Sequence, residues 1–139
     1  MNYGDSRYAE LIRIETLKRF PLTQVEFLEE RLSMHNYYKR LSLVGFAAFN
    51  FRWQEALGNI LFLIWNGAKV FLRADSSVYQ QFRNWDVQVY TLDQFNEDFL
   101  NDLLSPEDRQ KNRGIVEELF AESRISEYWK RLVFNPTGI

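Results

Sequence analysis

The chain of 139 residues contains no cysteine and a single histidine, His35. The first absence excludes a disulfide framework, thiolate metal sites and a cysteine nucleophile. The second excludes multi-histidine metal sites, so only a carboxylate-based cation site stays open. An excess of positive charge is missing as well: 17 basic side chains face 19 acidic ones, for a net charge of −2. A nucleic-acid binder of this size carries a basic patch or stripe, and none is visible. Long hydrophobic runs are also lacking. The longest apolar stretch, Ile60–Trp65, falls far short of the roughly 20 residues of a membrane span. The first twenty residues carry Asp5, Arg7, Glu10, Arg13, Glu15, Lys18 and Arg19, which is no secretory signal. These features predict a soluble, cytoplasmic protein.

What the chain does have is bulk. Hydrophobic residues make up 46% and aromatic residues 17%, with twelve Phe, seven Tyr and four Trp. At roughly 150–250 Å² buried per aromatic side chain, that suffices for a core. The length fits a single domain over 1–139, and no linker, internal repeat or low-complexity tract interrupts it.

Helices and strands are predicted to alternate. Residues 5–19 place Tyr8, Leu11, Ile12 and Ile14 among charges, an amphipathic helix capped by Asp5 or Ser6 and stopped by Pro21. Residues 24–29 alternate as a short strand, 34–43 read as a helix, and 45–50 as a strand apolar on both faces. Such a strand belongs inside a parallel sheet covered by helices. A helix over 54–65 ends at Asn66-Gly67; a strand follows at 69–73, then a helix capped by Ser76 or Ser77. Residues 87–92 form the fourth strand, and Asp93 caps a short helix reaching Leu103. Ser105-Pro106-Glu107-Asp108 opens a helix to about Ala121, and another runs through Trp129 and Leu132. The alternation predicts an α/β fold: a Rossmann-like three-layer domain with a parallel sheet of about four strands. Because a helix stands where a first strand belongs, the fold is expected to be either a compact variant or the later part of a longer α/β domain.

In such a sheet ligands bind beyond the carboxyl ends of the strands, which selects the connections 50–54, 73–77 and 91–93. The first carries Asn50, Arg52 and Gln54 and leads into a helix start with Ala56, Gly58 and Asn59. Free backbone N–H groups and the helix dipole favour a phosphate there, and Arg52 adds a charge-assisted bond. The competing reading makes Gly58 a packing glycine and Arg52 a solvated loop residue. There is no GxGxxG and no P-loop.

Residues 49–82, FNFRWQEALGNILFLIWNGAKVFLRADSSVYQQF, resemble the C-terminal half of a glycosyltransferase family. It contains the bacterial 4-acetamido-4,6-dideoxygalactose transferase of enterobacterial common antigen synthesis and capsule-cluster enzymes labelled 4-alpha-L-fucosyltransferase. The matching pieces are Phe49–Asn50, Trp53-Gln54-Glu55, Ala56–Asn59, Ile60–Trp65, Gly67-Ala68-Lys69-Val70 and Phe71–Leu72. Asn2-Tyr3-Gly4-Asp5 with Tyr8-Ala9 resembles the family's "YG…YA" segment, and the tail from Leu103 resembles its closing helices. One departure stands out: Trp53 replaces the Arg of an Arg-Gln-Gln-like turn, Arg52 lies one position earlier, and Glu55 replaces the second Gln.

The resemblance implies the GT-B architecture, with this chain as its C-terminal, donor-binding domain, incomplete and split from an N-terminal half. It implies binding of a nucleoside-diphosphate sugar, with a deoxy-amino or fucose-like sugar passing in the parent enzyme to a lipid-linked saccharide. Donor diphosphate contacts fall on Arg52, Gln54, Gly58 and Asn59, and further donor contacts on Tyr3, Gly4, Asn50 and Arg73. No catalytic residue is assigned, because the general base and acceptor site fall in the other half. No cofactor or metal is implied, since helix N-termini and cationic side chains stabilise a departing diphosphate. The chain alone is expected to lack transferase activity, and the parent to work in the cytoplasm, at the inner face of the membrane. A different class of function, a stand-alone Rossmann- or flavodoxin-like protein-interaction module, fits the same element order with its exposed aromatics as a partner surface.

Other candidates carry less. His35 reads as a surface or cap histidine. Glu29-Glu30 point to opposite faces of a strand and read as solvated charges. Arg73 and Asp75 fit either a sugar or ribose contact or a loop ion pair. Trp129, Leu132 and Val133 fit packing of the last helix onto the domain or docking on the other half.

Overall fold

The computed structural model describes residues 6–28, 32–52 and 56–122. The chain divides into two compact units, 1–37 and 38–139.

The first unit holds helix α1, Ser6–Arg19, and a 3₁₀ turn at Leu22–Gln24 that starts at Pro21. The helix is as expected, but its apolar side chains are not buried: Tyr8, Leu11, Ile12 and Ile14 are all exposed. The strand expected over 24–29 is absent among the described residues. Val25 has extended dihedrals and the alternation is present, with Val25 and Phe27 half-buried and Glu26 and Leu28 exposed. An extended segment becomes a strand only when its backbone groups find a partner. Here Phe27 sits beneath the Arg13 guanidinium at 5.3 Å and 25–28 pair with no strand. Helix α2, Met34–Leu41, follows and runs into the second unit.

The second unit is α/β. Strands β1 (Phe46–Phe49), β2 (Lys69–Leu72) and β3 (Tyr90–Thr91) form one parallel sheet in the order β1-β2-β3. Phe46–Phe49 pair with Lys69–Leu72, and Phe71–Leu72 with Tyr90–Thr91. Helix α3, Leu57–Trp65, connects β1 to β2, and α4, Ser77–Asn84, connects β2 to β3. A four-residue helix α5, Glu97–Leu100, and the longer α6, Pro106–Leu119, complete the described part. Among the described residues the sheet thus has three strands rather than about four, an arrangement compatible with a Rossmann-like fold.

Strand β2 is central and buried at every residue. Its alternation sends Val70 and Leu72 to one face, where they join Ile60, Leu63, Ile64, Val78 and Phe82 of α3 and α4. Lys69 and Phe71 take the other face. Phe71 meets Tyr90 and Phe95 at ring separations of 5.4 and 5.1 Å. Lys69, only 8% exposed, donates from Nζ to the carbonyls of Phe99 and Asp102 at 2.7 and 3.2 Å. Its ammonium also lies over the rings of Tyr90 and Phe99. Both faces of β2 are therefore covered, as a parallel sheet requires. Strand β1 departs from expectation: it lies at the sheet edge, and Ala48 is exposed.

Strand β3 is shorter than the expected 87–92. Both backbone polar groups of Gln88 bond to a side chain instead of a ladder: Asn112 Oδ1 accepts its N–H at 2.7 Å, and Nδ2 donates to its carbonyl at 3.0 Å. The expected Asp93-capped helix is also replaced. Thr91 and Gln94 form a capping box around a 3₁₀ turn at Leu92–Gln94, and Asn96 caps α5. Helix α6 begins as read, with Ser105 Oγ accepting from Asp108 N at 3.0 Å and Pro106 in the first turn. It is fastened to α3 through Trp65. The Arg113 guanidinium stacks on the indole at 4.6 Å and donates to the Trp65 carbonyl, while Trp65 Nε1 donates to Glu117.

Candidate functional site

A parallel sheet lines up the carboxyl ends of all its strands on one edge. Here that edge carries Asn50 and Arg52 after β1, Arg73–Asp75 after β2, and Leu92–Asp93 after β3. Asn50, Arg73, Ala74, Asp75, Leu92 and Asp93 line one cleft of about 350 Å³. All three connections singled out in the sequence therefore contribute to one region.

The cleft is organised around an ion pair. Arg73 donates from Nε and Nη2 to the two carboxylate oxygens of Asp75, both at 2.8 Å, and from Nη1 to Asn50 Oδ1 at 3.2 Å. Two parallel bonds of this kind match the planar guanidinium to the carboxylate and fix both orientations. Arg52 approaches the same carboxylate, its Nε 3.8 Å from Asp75 Oδ2. The hydrogen bonds from Arg73 hold the Asp75 carboxyl below the ordinary carboxylate range, with the charges of Arg73 and Arg52 adding to this. The same pairing raises Arg73 above its ordinary value. Asp75 is therefore charged throughout the neutral range.

The loop beneath is fixed. Ser76 N and Oγ both donate to the Arg73 carbonyl, at 3.1 and 2.8 Å, and Ser76 Oγ accepts from Tyr79 N as the cap of α4. Gln80 Nε2 donates to the Ala74 carbonyl at 3.0 Å. A backbone held at residues 73, 74 and 76 leaves Asp75 free chiefly in its side-chain rotamer.

The residues expected to hold a diphosphate are divided by the structure. Asn50, Arg52 and Arg73 come together around Asp75. Gly58 and Asn59 stand in the first turn of α3 and do not line this cleft; Leu57, their neighbour, lines a separate groove of about 330 Å³ with Ser77, Val78, Gln81, Phe82 and Trp85. Gln54, Tyr3 and Gly4 lie outside the described residues, as do Trp53, Glu55, Glu29-Glu30, Trp129, Leu132 and Val133. The packing role considered for Gly58 does not hold. The residue is exposed, and a Cβ there would meet nothing within 4 Å.

The start of α3 is unusual. Its cap position is Ala56, in the left-handed region at φ 52°, with no side-chain hydrogen bond to the first turn. The N–H groups opening a helix have no intrahelical acceptor, and here no cap side chain serves them. A non-glycine residue in that region costs roughly 1–2 kcal/mol.

Asp93, read from sequence as a helix cap, is instead an exposed wall of the cleft. The signal for it was positional: it follows the last strand at its carboxyl end. His35 is exposed on α2, as expected. Among the described residues no group of three His, Cys, Asp or Glu is placed to hold a metal, and no helix is long and apolar enough to cross a membrane. No family model, curated protein or solved structure matches this chain.

Proposed function

We propose that this chain binds the diphosphate of a nucleoside-diphosphate sugar at the carboxyl edge of its sheet, as the donor-binding part of a GT-B glycosyltransferase. The observation that carries the reading is the convergence of Asn50 and Arg73, from two different strand ends, on a single cleft, with Arg52 approaching its Asp75. Guanidinium groups are suited to bidentate recognition of phosphate oxygens. The sequence resemblance supplies the reaction class: transfer of a deoxy-amino or fucose-like sugar to a lipid-linked saccharide in bacterial surface polysaccharide synthesis. Since that resemblance covers only the later part of the family members, donor binding is assigned to this chain and transfer is not. In the donor complex Arg73 and Arg52 contact the diphosphate, Asn50 keeps Arg73 oriented, and Asp93 is available to accept hydroxyl protons from ribose or sugar.

Titration with UDP, dTDP and GDP, followed by heteronuclear NMR, tests this. One preferred base is expected, with shifts at Asn50, Arg52, Ala74 and Asp93, and at Gln54, Gly58 and Asn59 if the α3 start joins the site. Arg73→Gln removes a charge-assisted bond and weakens binding about tenfold or more. Silence at millimolar nucleotide overturns the proposal. The exposed Tyr8, Leu11, Ile12 and Ile14 of α1 favour a second reading, a protein-interaction module, which silence towards all nucleotides together with self-association or partner capture through α1 would support.

A further inference from the structure

We infer that Asp75 is a built-in competitor for the phosphate, a carboxylate holding the anion position between Arg73 and Arg52 until a ligand displaces it. The inference rests on the diphosphate reading above and adds a residue that controls how readily the site fills. Asp75 engages Arg73 through both carboxylate oxygens and at the same time lies 3.8 Å from Arg52 Nε. A phosphate taking the bidentate Nε/Nη2 edge of Arg73 must occupy that position, because Asp75 holds both of those donors.

Three features make the exchange feasible. The Asp75 side chain is 57% exposed, so it can rotate into water without leaving a buried charge. Its backbone neighbours are pinned by Ser76 and Gln80, so the loop does not move with it. Asn50 continues to hold Arg73 when Asp75 departs. An ordinary exposed ion pair would need none of this and would contribute little to stability. Among the described residues the cleft lining carries no net positive charge, since Asp75 and Asp93 more than offset Arg73, and the nearby Arg52 only balances them. Releasing the Asp75 carboxylate from the guanidinium groups exposes cationic hydrogen-bond donors suited to an incoming anion.

The test uses inorganic pyrophosphate as the probe, measured calorimetrically on the full chain, wild type against Asp75→Asn and Asp93→Asn. Both variants remove one negative charge from the same cleft, but only Asp75 touches an arginine. Asp75→Asn is expected to tighten pyrophosphate about tenfold, the scale of a like charge removed at contact distance, and Asp93→Asn by about twofold or less, as for a screened surface charge. Binding seen only in Asp75→Asn equally supports the inference. Equal gains in the two variants mean a general charge effect and overturn it, as does weaker binding by Asp75→Asn, which would make Asp75 a positioning residue for Arg73; in both cases the diphosphate reading survives. Absence of binding in all three proteins, each shown folded by circular dichroism, overturns the inference and the diphosphate reading together.

Discussion

At the scale of single residues, polar groups set inside the core do what strand pairing leaves undone. Asn112 is fully buried and serves both the N–H and the carbonyl of Gln88, 24 positions away. An amide is the one neutral side-chain group that donates and accepts side by side in this way. Asn112→Leu keeps the branched shape but removes both bonds, leaving two part-buried backbone groups of Gln88 without the amide, at about 1–3 kcal/mol each. A loss of about 2–4 kcal/mol in urea unfolding is expected, within the range of buried polar deletions. A change below about 0.5 kcal/mol, the size of an ordinary surface substitution, would show that water replaces the amide. Lys69 follows the same logic, with two carbonyls and two aromatic rings around its ammonium in place of a carboxylate.

At the scale of elements, helix ends were legible because their chemistry is local. Asn66-Gly67 was read as a helix end, and the structure closes α3 there with Gly67 N donating to the Ile64 carbonyl and Ala68 N to the Leu63 carbonyl. That pair of bonds defines a Schellman motif, which places its C′ residue in the left-handed region; Gly67 has φ 90°. Helix α4 closes in the same manner with Asp86 at that position, φ 61°. Gly67→Ala adds left-handed strain of roughly 1–2 kcal/mol and sets a Cβ 3.0 Å from Arg109 Cδ. A lower urea midpoint with an unchanged slope is the expected outcome; an unchanged midpoint would mean that the α3 end relaxes freely. Pairing, by contrast, was not legible. Residues 24–29 carry the alternation of a strand, yet 25–28 join no sheet, and 45–50 look buried on both faces, yet the strand they contain lies at the sheet edge. Alternation reports which way side chains point, whereas a ladder depends on what lies alongside. The candidate site divides on the same line. Its position followed from topology, and Arg73–Asp75 is a contact two residues apart, but the bond from Arg73 to Asn50 spans 23 positions and no local pattern announces it.

At the scale of the whole molecule, stability is unevenly distributed. Every buried apolar side chain among the described residues lies between Ile60 and Val116, so the second unit has a core, and the described residues of the first unit include no buried one. A helix of 12–15 residues without tertiary support is marginal in water, and α1 has 14 residues, with Tyr8, Leu11, Ile12 and Ile14 exposed and Leu17 half-buried. Amide exchange should separate the two. The amides of Val70–Leu72 and the interior of α3 should exchange only through global unfolding, while those of α1 open locally and show protection below about a hundredfold. Exchange measured at several protein concentrations gives this comparison its force. If α1 proves as protected as β2 at high concentration and loses that protection on dilution, its exposed Tyr8, Leu11 and Ile12 are being covered by a second copy. Protection equal to that of β2 at every concentration would mean that α1 is held within the chain itself, and the uneven distribution argued here would be wrong.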